Sequence, residues 1–448
     1  VAAPRRNLLA SSPHYRRLWS AATISLFGTQ VSLIAIPYIA AVLLHAPPFQ
    51  VALLGTVEFL PFLLFTLPAG AWVDRLPRRL ILVTGDLGRA ISLLTIPIAW
   101  ELGVLSMGQL YIVGFVNGLL TVFFDVADQS FLPAILEPDE LVEGNSKLQV
   151  SASAATVLGQ PVGGGLVGLL TAPIAVAVDA ISFVLSGGLI FSIRKREPRP
   201  EAGASAESPM RGIRHEVAEG LRYVLDHPYL RYIAASTGLS NLFSNIAFAT
   251  FPVFVFVVLG LDPAVFGLIS GIGSLGVLGG ALVASRIAER IGVGRTILWS
   301  IAIGGPSALL AAVAQPETAA PLIIASMALG GFAGTVYNIN QVSLRQAITP
   351  ARIQGRMNAT MRFLVWGTIP IGQIIGGLVA SVVGARGALV VGGALGCFAF
   401  VPILFSAVRS LERIPTPEAA AGAEAAEAPA ADLVAVEAEM TSPGSALD

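Results

Sequence analysis

The chain has 448 residues, 54% of them hydrophobic and only 12% charged, and a mean hydropathy of +0.76. A soluble domain of this length needs far more charged surface to stay dissolved, so lipid is the expected solvent. The net charge of −1 offers no basic excess for nucleic acid, and Cys397, the single cysteine, can form neither an intrachain disulfide nor a thiolate metal cluster.

Arg5, Arg6, Arg16 and Arg17 precede an apolar stretch over 18–44, too long for the ~7–15-residue core of a signal peptide, which reads as an uncleaved first span. Crossing the hydrocarbon core takes ~20 predominantly apolar residues in a helix, because every backbone polar group must be paired within the segment. Runs of this kind recur at 50–73, 80–100, 107–132, 147–170 and 172–193, then at 231–259, 264–287, 296–314, 320–343, 358–382 and 387–408. The prediction is an all-α membrane protein of twelve transmembrane helices in two pseudo-symmetric six-helix bundles. A flexible N-terminus covers 1–13, the bundles 14–193 and 230–410, a linker 194–229, and a disordered Ala/Glu/Pro tail 411–448. In the linker Ile213, Val217, Leu221, Val224 and Leu225 recur at helical spacing, which fits an amphipathic helix on the membrane surface or a solvated linker.

Counting spans in pairs places the arginines and both lysines (Lys147, Lys195) on one side and leaves only Arg386 in a loop on the other. Lys and Arg collect in cytoplasmic loops. The expectation is therefore a multi-pass protein of the cell inner (plasma) membrane with both termini in the cytoplasm. An internal repeat supports the two-bundle reading: Gly159-Gln160-Pro161-Val162-Gly163-Gly164 in the fifth span corresponds to Gly372-Gln373-Ile374-Ile375-Gly376-Gly377 in the eleventh, and the same shift carries Asn145 onto Asn358. The halves read as parallel copies about an axis along the membrane normal.

The turn after the second span reads Gly70-Ala71-Trp72-Val73-Asp74-Arg75-Leu76-Pro77-Arg78-Arg79. It resembles the Gly-x-Leu-Ala-Asp-Arg-x-Gly-Arg-Arg signature of the major facilitator superfamily. With Leu18-Trp19 and Ser25-Leu26-Phe27-Gly28-Thr29-Gln30, it is similar to the drug-efflux and siderophore-export branch, the macrolide-efflux-like and enterobactin-exporter-like proteins. The resemblance covers about residues 14–410; Pro77 replaces the usual glycine, and Thr29 stands where this branch often has an acid. It implies a gating turn made by Gly70, Asp74, Arg75, Arg78 and Arg79, with Asp74 at the N-terminus of a neighbouring helix, where the dipole favours an anion. The arginines are expected to meet acids or lipid phosphates, or to serve only as topology markers. Pro161, Gly163, Gly164 and Gly165 resemble a degenerate form of the superfamily's antiporter motif and would bend the fifth span at a rocking interface or simply pack it.

Ionisable groups inside the membrane cost ~2.5–3.5 kcal/mol each and are functional candidates by default. Five acids qualify, all in the first half: Glu58, Asp86, Asp125, Asp128 and Asp179. Asp86 and Arg89 are one turn apart and can form a structural ion pair. Asp125 and Asp128 share a face, and the repeat places Asn338 and Gln341, which do not titrate, at their equivalents. Glu58, with no cation near in sequence, is the first choice for carrying a proton; Asp179 can instead be a scaffold contact. The first half thus reads as the energy-coupling half and the second as mainly substrate-binding. By the resemblance, substrate contacts come from Gln30, Asn117, Asn241, Asn245, Tyr337, Asn338 and Gln341, with Phe27, Phe243 and Phe248 as apolar surface. Such a pocket suits an amphipathic ligand.

Neither lysine sits in a phosphate-binding loop, and His14, His45, His215 and His227 fall outside the predicted spans without ligand spacing, so ATP-driven transport and membrane-embedded enzymes are disfavoured. The expectation is a monomeric proton antiporter without cofactor or metal, exporting a small amphipathic molecule among membrane lipids. A proton-coupled importer and a transporter-like receptor without flux are the alternatives.

Overall fold

The computed structural model describes residues 8–73, 76–195, 219–350 and 353–414, without the side chains of Leu67 and Ala71. Among the described residues it is helical throughout, with no strand. After a short helix over Leu8–Ser11, the first half consists of α1 (Pro13–Tyr38, continued by a π-helix over Ile39–Leu43), α2 (Pro48–Val73), α3 (Arg78–Glu101), α4 (Met107–Ile135), α5 (Leu141–Leu170) and α6 (Ala172–Phe191). The second half begins with α7 (Leu230–Phe248, followed by a π-helix over Val253–Val258), α8 (Pro263–Ile291), α9 (Val293–Ala302 and Gly304–Ala312) and α10 (Ala319–Ile348).

The chain from Gln354 to Leu404 is apolar and helical over 51 residues. A helix that long would reach ~75 Å, more than twice the ~30 Å hydrocarbon core. It is broken at Gly384, whose φ of 77° and ψ of 167° end one helix and start the next. Residues 354–384 therefore form α11, interrupted after Trp366, and 385–404 form α12, giving twelve spans. The equivalent junction between α5 and α6 is Thr171, at φ 72° and ψ 151°. A β-branched residue rarely tolerates that region, so the tight reversal overrides local preference in the first half where glycine satisfies it in the second.

Span ends are set by caps more than by hydropathy. Ser12 accepts from the Tyr15 amide at 3.3 Å, Ser106 from Gln109 at 3.4 Å, and Asp262, just before Pro263, from Ala264 at 2.7 Å. Several helices accordingly outrun their apolar runs: α5 starts at Leu141 and α10 ends at Ile348.

Packing repeats between the halves. α1 lies against α5 and α6, α2 against α4, and α3 against α4 and α6; in the second half α7 lies against α11, α8 against α10, and α9 against α10 and α12. The halves meet through α5 with α8 and through α2 with α11. One membrane face carries Arg16, Arg17, Arg78, Arg79, Arg290, Arg295 and Arg409; on the opposite face Arg386 donates to the Ala312 carbonyl at 2.7 Å and lies over the Phe254 ring.

The hydrophobic core differs at the two faces. At the arginine-poor face a single core takes Ile34, Ile39, Ala172 and Val176 from the first half together with Phe254, Phe256, Ala312 and Leu389 from the second. At the arginine-rich face there are two cores: Tyr15, Leu82, Phe131 and Ile190 belong to the first half, and Ile233, Ile297, Leu344 and Ile403 to the second. The halves are fused at one face and parted at the other.

Candidate transport site

Between the parted ends the first half presents carboxylates. Glu58 lies midway along α2, its backbone pressed against α4: a Cβ built at Gly118 would fall 2.2 Å from the Glu58 carbonyl oxygen. Protein surrounds it on every side, yet its side chain keeps an exposed surface. That combination describes a residue facing an internal cleft and not one packed in a core. On α4 Asp125 is exposed and Asp128 half-buried, one turn apart. Both feel the charge of Arg89, and Asp125 also feels that of Arg362 on α11.

Asp86 and Asp179 are sealed away. Asp86 is fully buried and accepts from the Arg89 guanidinium at 2.5 Å. The guanidinium is sandwiched between the rings of Phe124, at 4.3 Å, and Phe183, at 4.2 Å, which offsets part of the cost of burying it. Asp179, 1% exposed, accepts from Ser32 on α1 at 2.5 Å and Ser182 at 3.1 Å. This cluster ties α1, α3 and α6 together behind the cleft.

The polar residues expected to meet substrate separate into two groups. Asn117 donates to Ser92 on α3 and to the Val113 carbonyl; Asn241 donates to the Val365 carbonyl on α11, and Asn245 to the Asn241 carbonyl. These side chains are engaged in helix packing. The others have different surroundings. Tyr337 shares a 2.5 Å hydrogen bond with Thr237 on α7; Asn338 is exposed and accepts from Gln341 at 3.1 Å; the Oε1 atoms of Gln341 and of Gln30 on α1 are buried without a partner among the described residues.

Two arginines in this region escape sequence reading. Arg345, assigned by hydropathy to a loop, lies within α10 with its Nε buried and without a partner among the described residues, and Arg362 lies within α11, exposed, over the Trp366 ring at 4.8 Å. The signal for Arg362 was its place inside an apolar run, the criterion that picked out the five acids. Through Arg362, whose charge reaches Asp125, the second half thus sets a cation against the carboxylates of the first.

Of the gating turn, Asp74 and Arg75 lie outside the described residues, as do most of the linker and the tail. Among the described residues, nothing lies within 4 Å of a Cβ built at Gly70. Arg78 donates to the Ser130 carbonyl at the end of α4, and Arg79 to the Phe191 carbonyl at the end of α6, where it also covers the Phe191 ring. Arg17 donates to the neighbouring Ser192 carbonyl at 2.7 Å. The last carbonyls of a helix attract cations, so these arginines close helix ends inside the first half. Of the linker's proposed amphipathic helix, the part over 219–226 packs on α11: Glu219 pairs with Arg356, Val224 is fully buried, and a Cβ at Gly220 would lie 3.0 Å from the Arg356 carbonyl oxygen.

The glycines after Pro161 have three different surroundings. A Cβ at Gly163 would lie 2.8 Å from the Gln30 carbonyl oxygen on α1, one at Gly164 would lie 2.3 Å from the Pro263 carbonyl oxygen on α8, and Gly165 faces open space. Their repeats agree: Gly376 meets α7 at Ile246, and Gly377 meets α2 at Phe49 and Ala52.

Twelve spans in two matching halves that join at one face and part around charged side chains at the other define a polytopic membrane transporter. The chain belongs to the transmembrane secretion effector family of the major facilitator superfamily, whose sequence pattern matches residues 9–438. It is 26% identical over 374 residues to the multidrug efflux pump Tap of Mycolicibacterium fortuitum, covering 80% of this chain and 87% of that protein. To the MFS-type transporter YkuC of Bacillus subtilis (strain 168) it is 25% identical over 288 residues, 62% of this chain and 65% of that one. In fold it is similar to a bacterial homologue of the iron transporter ferroportin in the inward-facing state, with a TM-score of 0.70 at 17% identity over 89% of this chain and 99% of the other.

Proposed function

We propose that the chain exports a small amphipathic molecule across the inner (plasma) membrane by proton antiport and alternating access, with its arginine-rich face toward the cytoplasm. The observation that carries this reading is the divided core: one shared cluster at the arginine-poor face and two separate ones at the other. A substrate entering from the cytoplasm would meet carboxylates on α2 and α4 and the polar face of α10. Kinship with an efflux pump favours the outward direction.

Glu58 is the proposed proton carrier, with Asp125 and Asp128 as the pair that receives or releases the proton nearer the opening. Neutralising a carboxylate removes the cost of enclosing it when the cleft closes. Asp86 and Asp179 are assigned to the support of α1, α3 and α6. The turn carrying Gly70, Asp74, Arg75, Arg78 and Arg79 is the proposed latch that holds the closed cytoplasmic face.

Inside-out vesicles with an acidic lumen test the scheme. Accumulation of a fluorescent amphipathic cation in the lumen is the expected result, with Glu58→Gln reducing uptake to the leak rate while binding persists. Undiminished uptake in that variant would remove Glu58 from the mechanism. Movement only in right-side-out vesicles would indicate an importer, and binding with no flux in either orientation a receptor.

A further inference from the structure

The geometry points to a binding site for the phosphate headgroup of an anionic phospholipid, between the start of α9 and the 3-10 helix over Ala407–Ser410 that follows α12. A cavity of about 300 Å³ opens there, lined by Arg295, Leu298, Trp299, Arg409 and Ser410. Its walls are joined backbone to backbone. The Gly294 amide donates to the Leu411 carbonyl at 2.8 Å and the Val293 amide to the Glu412 carbonyl at 3.3 Å; a Cβ at Gly294 would lie 1.9 Å from the Val408 carbonyl oxygen. Ser406 caps the 3-10 helix by accepting from the Val408 amide at 3.2 Å. The two walls are therefore held together by backbone contacts.

Its chemistry selects an anion with an apolar neighbour. The side chains of Arg295 and Arg409 make no hydrogen bond or ion pair among the described residues. Two guanidinium groups on one cavity present fork-shaped donors that match phosphate oxygens. The surroundings favour negative charge too: Arg286, Arg290 and Arg413 lie on the adjoining segments, against Glu289 and Glu412. One turn deeper along α9 on the same side, Trp299 is 63% exposed, beside the half-buried Leu298. An exposed indole at a span's end is suited to the headgroup level of a bilayer, whereas a soluble phosphate would gain nothing from it. The basic face and the indole together fit a ligand whose phosphate stays at the surface and whose chains run along the helix.

The site is independent of flux and of its direction, so it stands or falls apart from the transport scheme. Native mass spectrometry of the full chain in detergent, titrated with phosphatidylglycerol or phosphatidylcholine, tests it. The expected result is one phosphatidylglycerol held in preference to phosphatidylcholine, weakened ~25-fold by Arg295→Gln with Arg409→Gln, about fivefold for each charge lost near the membrane surface. Arg286→Gln with Arg290→Gln should cost much less. If the first double variant does not fold, Trp299→Ala serves instead and should weaken phosphatidylglycerol while leaving any binding of inorganic phosphate unaltered. Equal phosphatidylglycerol retention by the wild type and these variants overturns the proposal, and so does displacement of the lipid by millimolar inorganic phosphate, which would mark a site for soluble anions.

Discussion

The two seams between the halves are built differently. Where α5 crosses α8 the contact is backbone on backbone: Gly164 and Gly267 face each other so closely that a Cβ on either would lie about 3 Å from the other's Cα, and Pro161 fills the space over Gly271. Where α2 meets α11 the contact uses side chains. Phe59 meets the Trp366 ring edge to face at 5.9 Å, Phe59 stacks on Phe62, and the Gln373 amide fills the place a side chain would take at Gly55. A seam without side chains has no rotamers to adjust, so it can act as a fixed pivot. An aromatic seam can repack while remaining closed, and it lies beside Arg362 and beside Glu58, the group whose charge state would have to be felt.

The largest effect should come from breaking the pivot. Gly164→Leu forces bulk between α5 and the start of α8, and overpacking of this kind costs ~1–3 kcal/mol, enough to reduce flux ~100-fold or prevent assembly. Gly165→Leu, which points into open space, should transport and express like the wild type; equal damage from both would show that glycine matters here for helix flexibility and not for the crossing. In the aromatic seam, Trp366→Ala should lower transport by about tenfold, since it removes the ring contact worth ~1 kcal/mol as well as the platform beneath Arg362. A double-mutant cycle of Asp125→Asn and Arg362→Gln, read as gradient-driven uptake, should give a coupling of ~1 kcal/mol, because the charge of Arg362 is felt at Asp125 in the other half. Additive effects would mean that they act in isolation.

The smallest effect lies outside both seams and serves as a control. His227, before α7, is 2% exposed, and its Nδ1 accepts from the Tyr229 amide at 3.1 Å and the Leu230 amide at 3.4 Å. Burial, helped by Arg231, lowers its pKa from 6.5 to about 4. The folded protein then binds fewer protons than the unfolded chain between those values, so this cap stabilises fully above pH 6.5 and its contribution is lost as the pH falls toward 4. Thermal unfolding of the wild type should weaken over that window by a few degrees more than that of His227→Asn, which keeps an acceptor but does not titrate. Transport above pH 7 should be alike in the two.

Much of this architecture is legible in the sequence because a bilayer constrains it so strongly. Apolar runs located all twelve helices, and the Gly159 and Gly372 repeats, read as letters, turn out to hold equivalent places in α5 and α11. The ends were less legible, since caps such as Ser106 and Asp262 and continued backbone pairing set them after hydropathy has fallen away. The π-helical endings of α1 and α7 were invisible to a count of apolar residues, though Pro37 and Pro252 stand just before them; a missing amide there lets the hydrogen-bond register slip. Within the site, Asp86 with Arg89 followed from spacing alone. The partition of the asparagines did not, because whether Asn117 or Asn338 faces a cleft depends on which neighbour offers a partner.

The shared core at the arginine-poor face also has an unusual texture. Alongside Ile34, Ile39, Phe254 and Phe256, its buried residues include Ala35, Ala40, Ala41, Ala172, Ala175, Ala247, Ala312, Ala314 and Ala319, many more alanines than either separate core holds. An alanine contributes one methyl group, while a buried leucine or phenylalanine is worth ~1.5–3 kcal/mol. Between the halves that face is also keyed by a ring pair, Tyr38 of the first against Phe256 of the second, edge to face at 5.1 Å, so parting it must undo a contact worth ~1 kcal/mol.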